Sequence, residues 1–166
     1  GEMDSNIVVL RFEGESQAEN MLSIFDDMQE KGIVTLEDAV IATRGPGENI
    51  EIKQSQSVTG KYTLRGSGIG LLAGLLIGGP IGGLVGGTVV GAVAGALKDV
   101  GIDDKFIRQT SEMLTPGSSA LFLMGKAEDP DRFLAELKPF KALVATTSLS
   151  AEQETRLKRT LAEEDL

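Results

Sequence analysis

The sequence predicts an α+β protein: a ferredoxin-like sheet of split β-α-β order, with an inserted Gly-rich helical hairpin and a C-terminal helix. Three observations predict it. Short β-branched runs and amphipathic stretches follow one another as strand-helix-strand-strand and then helix-strand. The two parts are separated by 32 residues, Gly66 to Leu97, that carry no charge. That run also holds 12 of the chain's 21 glycines, most of them at a spacing of four. Residues 4–64 and 99–166 then form one discontinuous sheet domain, and 65–98 form the insertion.

Ile7-Val8-Val9-Leu10-Arg11-Phe12 is short, β-branched and apolar enough for a strand inside a sheet. Ser16 and Glu19 have the S-x-x-E spacing of a capping box, which would satisfy two orphan donors at a helix start. Ala18, Met21, Leu22, Phe25 and Met28 follow as one apolar helical stripe, and Gly32 after Lys31 is a stop. Leu36–Thr43 and Asn49–Lys53 read as two strands, and Gly45-Pro46-Gly47-Glu48 between them as the turn of a hairpin.

After the glycine-rich run, Asp103 is the expected N-cap of a helix carrying Phe106, Ile107, Thr110, Met113 and Leu114, which ends at Thr115-Pro116-Gly117. Ser118–Met124 reads as a strand. Asp129-Pro130 has the cap and first-turn proline of a short helix with Phe133, Leu134 and Leu137 inward. Lys141–Thr147 is a further strand. Ser150 and Gln153 make a second capping box, opening a charged helix to about Ala162 whose apolar seam is only Leu157 and Leu161. That seam docks the helix; the helix is also the place where a protein partner would bind.

The glycines form two ladders. Gly66, Gly70, Gly74, Gly78, Gly82 and Gly86 recur every fourth residue, and Gly79, Gly83, Gly87, Gly91 and Gly95 repeat the rule in a second register. Spacing of four places bare backbone along one helix face, where another helix can approach closely. A flexible linker is excluded by the many Leu, Ile and Val between the glycines. Gly68-Ile69-Gly70-Leu71-Leu72-Ala73 matches a dinucleotide-binding turn, but the acidic residue required about 20 positions on is missing. Gly78-Gly79-Pro80-Ile81-Gly82-Gly83 breaks the run into helices over 66–77 and 82–97, roughly 18 and 24 Å long. Either is short for a bilayer core of about 30 Å, so a hairpin that dips into lipid or packs on copies of itself is expected. Each interior glycine costs a helix about 1 kcal/mol relative to alanine, so packing or lipid must supply the difference. Lys61, Arg65 and Lys98 flank the run, which fits the cytoplasmic side of a membrane.

Composition removes whole classes of function. There is no cysteine and no histidine, which excludes thiolate nucleophiles, imidazole bases and the usual zinc sites. A net charge of −9 repels a phosphate backbone, so no nucleic acid is expected. Asp26-Asp27, Asp103-Asp104 and Glu163-Glu164-Asp165 are accounted for by solvation or capping, so no catalytic, cofactor-binding or metal residue is expected. The start, Gly1-Glu2-Met3-Asp4, lacks the basic and apolar regions of a signal peptide, which places the chain in the cytoplasm or on the cytoplasmic face of a membrane.

Val8–Phe12, the Ala18–Gly32 helix, Leu36-Glu37-Asp38-Ala39-Val40, the run from Gly66 to Gly95 and Ser119-Ala120-Leu121-Phe122-Leu123 together resemble a bacterial family of uncharacterised predicted membrane proteins, classed as a domain of unknown function. The resemblance implies a membrane setting and supplies no reaction or catalytic residue. The functional expectation is a non-enzymatic, membrane-associated or zipper-assembled homo-oligomer with membrane lipid as a partner and no cofactor. The alternative is a soluble ligand-binding or sensory module of ferredoxin-like fold.

Overall fold

The structure, a computed structural model, describes residues 6–45, 50–54, 84–85, 88–89, 104–146 and 149–162. In chain order these form β1 (Asn6–Phe12), α1 (Gln17–Glu30), β2 (Val34–Arg44), β3 (Ile50–Gln54), β4 (Leu84–Val85), β5 (Thr88–Val89), α2 (Asp104–Met113), β6 (Ser119–Ala127), α3 (Pro130–Leu137), β7 (Leu143–Thr146) and α4 (Ala151–Ala162). The fold class is α+β.

Five strands make one sheet in the order β3-β2-β6-β1-β7, and every neighbouring pair is antiparallel. β6 lies between β1 and β2, which α1 connects. β1 lies between β6 and β7, which α3 connects. Two β-α-β units therefore interlock, each holding a strand of the other in its gap.

This corrects the roles the sequence suggests. β2 and β3 were expected as the second and third strands of the split β-α-β order, with α2 as its second helix and β6 as its fourth strand. Instead β3 sits at the edge beyond β2, and α3, expected as an extra short helix, joins the inner strand β6 to β7. The reason is burial. Ser119, Ala120, Leu121, Phe122 and Leu123 are all buried, as a central strand covered on both faces requires. The Ile-Glu-Ile-Lys-Gln sequence of β3 suits an edge, where charge discourages further pairing.

One face of the sheet packs on α1, α3 and α4. Leu10, Phe12, Leu121 and Leu123 from the strands meet Met21, Phe25 and Met28 from α1, Leu137 from α3, and Leu157 and Leu161 from α4 in a single cluster. Burying each such side chain contributes about 1.5–3 kcal/mol. The expected α4 seam thus docks as anticipated.

The other face carries Ile7, Val9, Val40, Ala42, Ala120, Phe122 and Ala145, all buried. α2 lies on this face, with Phe106, Thr110 and Leu114 inward. Two arginines hold its end. Arg44 Nη1 donates to the Leu114 carbonyl at 2.8 Å, and Arg11 Nη2 donates to Thr115 Oγ1 at 2.6 Å. Cations at a helix C-terminus meet orphan carbonyls and the negative end of the helix dipole. The chain then turns at Gly117 (φ +83°), whose amide donates to the Arg44 carbonyl.

A bulge in β2 decides which residues reach which face. The register against β6 shifts between Leu36 and Asp38, leaving Glu37 exposed. Before the shift Val34 and Leu36 face the α1 side; after it Ala39 and Ile41 do, and Asp38 and Val40 turn to the α2 side. Asp38 is fully buried there and is partnered.

The start of α1 departs from expectation. Ser16 is the N-cap residue but its side chain makes no cap hydrogen bond. The orphan donor is met from the sheet: the Ala18 amide donates to Ser119 Oγ at 3.1 Å, and that hydroxyl donates to the Gly14 carbonyl at 2.6 Å. A buried hydroxyl that both donates and accepts replaces the local box. The other end follows the sequence. Gly32 (φ +76°) donates to the Gln29 carbonyl and Ile33 to the Met28 carbonyl, a Schellman motif with Met28 and Ile33 both buried.

Within the glycine-rich run, Leu84–Val85 and Thr88–Val89 pair as a two-stranded antiparallel ribbon. The helix expected over 82–97 is therefore not the conformation of these four residues. Gly86-Gly87 is a two-residue hairpin sequence and Val85, Thr88 and Val89 are β-branched, so local preference outweighs the four-residue ladder here. The rest of the expected helical hairpin, the Asp103 cap and the Pro46–Glu48 turn lie outside the described residues.

Candidate ligand-binding cavity

The α1 side of the sheet is not filled throughout. A cavity of about 400 Å³ lies between the sheet and its three helices. Its floor is Val8 and Leu10 of β1, Val34 and Leu36 of β2, and Leu123 and Gly125 of β6. Across the three strands Leu36 pairs with Gly125 and Gly125 with Asn6, so this row has no side chain at its centre. The glycine is dictated by the bulge. A Cβ at Gly125 would press on the Thr35 carbonyl oxygen and come within 3.1 Å of Leu36 Cα. The Leu36 amide, at the same irregularity, donates to Gln29 Oε1 of α1 at 2.7 Å.

α3 makes one wall. The Asp129 carboxylate accepts from the Arg132 amide at 3.3 Å with Pro130 in the first turn, as the sequence predicts. This start is fixed to the sheet, because the Glu128 and Asp129 amides both donate to the Ile33 carbonyl. Phe133, Leu134 and Leu137 then line the cavity. Phe133 meets Phe25 of α1 edge to face, with centroids 5.9 Å apart.

α4 makes the opposite wall. Its capping box forms as expected: the Gln153 amide donates to Ser150 Oγ at 3.1 Å and the Ser150 amide to Gln153 Oε1 at 3.2 Å. Gln153, Arg156 and Leu157, three and four residues apart, share the helix face turned to the cavity. The Ala142 amide donates to the Leu161 carbonyl, which ties the far end of α4 to the segment before β7.

Polar groups enter the lining as Asn6, Lys126, Gln153 and Arg156. No carboxylate is among the described lining residues. The acidic partners stand outside: Glu128 lies 3.9 Å from Lys126 Nζ and accepts from Thr35 Oγ1, and Asp131 lies 3.1 Å from Arg156 Nη2. Asp131 is 89% exposed, so its pair with Arg156 is screened and weak. The arrangement offers apolar contact inside, with the Asn6 and Gln153 amides and the Arg156 guanidinium at its polar side; Lys126, which alternates with Gly125 in β6, carries its ammonium to the opposite face beside Thr35 and Glu128. No described group of three or more acidic residues could hold a metal ion.

The glycines singled out by the sequence, Gly66, Gly70, Gly74, Gly78, Gly82 and Gly86 with Gly79, Gly83, Gly87, Gly91 and Gly95, all lie outside the described residues. Of the cavity, sequence reasoning found the inward residues of α3 and Leu157. It missed Gln153 and Arg156, whose only signal is helical spacing relative to Leu157.

An antiparallel sheet with helices on both faces and a largely apolar, ligand-sized cavity under one helical layer defines a small α+β protein with a half-open pocket. The chain belongs to the family described as Protein of unknown function (DUF1269), whose model matches residues 63–162. The match takes in the glycine-rich run and the Ser119–Leu123 strand but begins after the β1-to-β2 part of the resemblance. Comparison with curated proteins and with solved structures gives no match. No helix among the described residues is long and apolar enough to cross a membrane.

Proposed function

We propose that the chain is a non-enzymatic small-molecule-binding module of ferredoxin-like fold. The observation that carries this reading is the cavity of about 400 Å³, within the roughly 300–1,000 Å³ of typical ligand sites. The interlocked β1-α1-β2 and β6-α3-β7 units support the ferredoxin-like assignment, with β3, α2 and the 65–98 insertion as additions between its second and third strands. The absence of histidine and cysteine favours binding over catalysis. Titration of the full chain with decanol should shift the methyl resonances of Leu10, Leu134 and Leu157 and spare Val9 on the opposite face. Uniform shifts, or none, would remove the cavity as a binding site.

The glycine ladders favour a second role for the insertion: self-association by close backbone packing, or contact with lipid on the cytoplasmic side. Gly70→Leu combined with Gly74→Leu puts bulk on one face of the first ladder. Sedimentation should show the full chain as an oligomer and the double variant as a smaller species or an aggregate; a well-behaved monomer in both cases rules the zipper out.

A further inference from the structure

We propose that the cavity takes an uncharged medium-chain carbonyl compound, a ketone or an ester, whose oxygen accepts from the Gln153 amide at the mouth. The inference rests on the cavity being a ligand site, and adds the chemistry of what enters it and the residue that selects it.

Burial along the lining sets the direction of the ligand. Leu10, Phe25, Leu123 and Leu137 are buried and make the inner part. Pro130, Gln153 and Arg156 are exposed, and Asn6, Ala127 and Leu149 are half-buried. These six stand where β1 begins, β6 ends and α3 and α4 start, so the cavity opens at that end of the sheet. An apolar chain goes inward and a polar group stays at the mouth. A nucleotide or sugar would carry several polar groups inward and leave them without partners.

Charge at the mouth is balanced. With the Lys126 ammonium on the opposite face, Arg156 is the one cation among the described lining residues, and its Nη2 already meets Asp131 at 3.1 Å. An anionic head would face a paired guanidinium with a carboxylate beside it. A cationic head finds no carboxylate in the described lining. Either ion gives up water for little return.

Hydrogen bonding then selects among neutral groups. Gln153 Oε1 accepts from the Ser150 amide at 3.2 Å in the capping box, so what the side chain offers a ligand is its NH₂. Arg156, three residues on, adds donors and no acceptor. A carbonyl oxygen accepts from such a rim and brings no hydrogen of its own to place. A hydroxyl brings one.

The test is calorimetric titration of the full chain at neutral pH with heptyl methyl ketone, the secondary alcohol formed by its reduction, nonanoate and nonylammonium. An apolar cavity alone does not separate the ketone from its alcohol. The expected result is that the ketone binds about threefold more tightly than the alcohol, the scale of one net hydrogen bond. Both should bind about tenfold or more tightly than either ion. Gln153→Glu keeps the capping-box acceptor and removes the NH₂. It should bring the ketone down to the alcohol or below and strengthen nonylammonium several-fold, with the unfolding midpoint as the check that the helix start is intact. Equal affinities for ketone and alcohol in the unaltered chain, tighter binding of either ion, or a ketone preference that survives Gln153→Glu overturns the assignment while leaving the cavity a ligand site. If none of the four binds, the ligand site itself falls.

Discussion

Residues 63–166, expressed alone, should fail to fold cooperatively, although they contain the whole stretch that matches the family. Among the described residues β6 pairs only with β1 and β2, and β7 pairs only with β1. The two strands that the fragment gives to this sheet, β6 and β7, do not pair with each other; what joins them is β1. Without residues 6–44 both edges of β6 lose their hydrogen-bonding partners, and Leu121, Phe122 and Leu123 lose the neighbours that bury them. An unpaired strand of that hydrophobicity is an aggregation site. Heating the fragment should give a broad, non-cooperative change in circular dichroism, and its amide proton spectrum should be poorly dispersed. Mixing it with residues 1–62 should restore a cooperative transition. A well-folded fragment would mean that β6 and β7 have another pairing open to them.

Gly125→Ala should destabilise the full chain by about 3 kcal/mol, a large share of the roughly 5–15 kcal/mol that holds a domain together. The added methyl meets backbone on the neighbouring strand, the Thr35 carbonyl and Leu36 Cα, so no side-chain rotation relieves it. Either the bulge shifts or the β2–β6 pairing opens. Gly45→Ala is the control: nothing lies within 4 Å of its added Cβ and its φ is not positive. Denaturant unfolding should show a lower midpoint at unchanged slope for Gly125→Ala and no change for Gly45→Ala. Equal midpoints would show that the bulge region yields more readily than its geometry implies.

Local elements were legible in the sequence, and the reasons are local. Alternation and β-branching marked β1, β2, β6 and β7 to within about three residues at each end. Gly32, Asp129-Pro130 and Ser150/Gln153 set helix ends through bonds between residues close in the chain. The Ser16/Glu19 box had the same signature and did not form, because Ser119, a hundred residues on, supplies the hydroxyl. The roles of β3, α2 and β6 were misassigned for a similar reason. β2 and β3 are near in sequence and pair, but nothing local records that β6 enters between β1 and β2. The bulge left a trace in Leu36-Glu37-Asp38, two adjacent acids in an otherwise apolar strand, but a trace readable only once Asp38 is known to be buried. The cavity was not legible, since it is lined by three strands and three helices brought together by the whole sheet.

The interlocked sheet also constrains when the protein can fold. Leu10 pairs with Leu121, 111 positions later, and Val40 pairs with Phe122. A ribosome releases β1, α1 and β2 well before it makes the strand that belongs between them. Until then the two earlier strands have no reason to stay side by side, and the closing of so long a loop must precede any reward from the sheet centre. The early half waits with its apolar faces uncovered, at the stage when association with other chains competes best with folding. Synthesis of β6 is therefore the committing event, and the chain's first half depends on its second for a native neighbour.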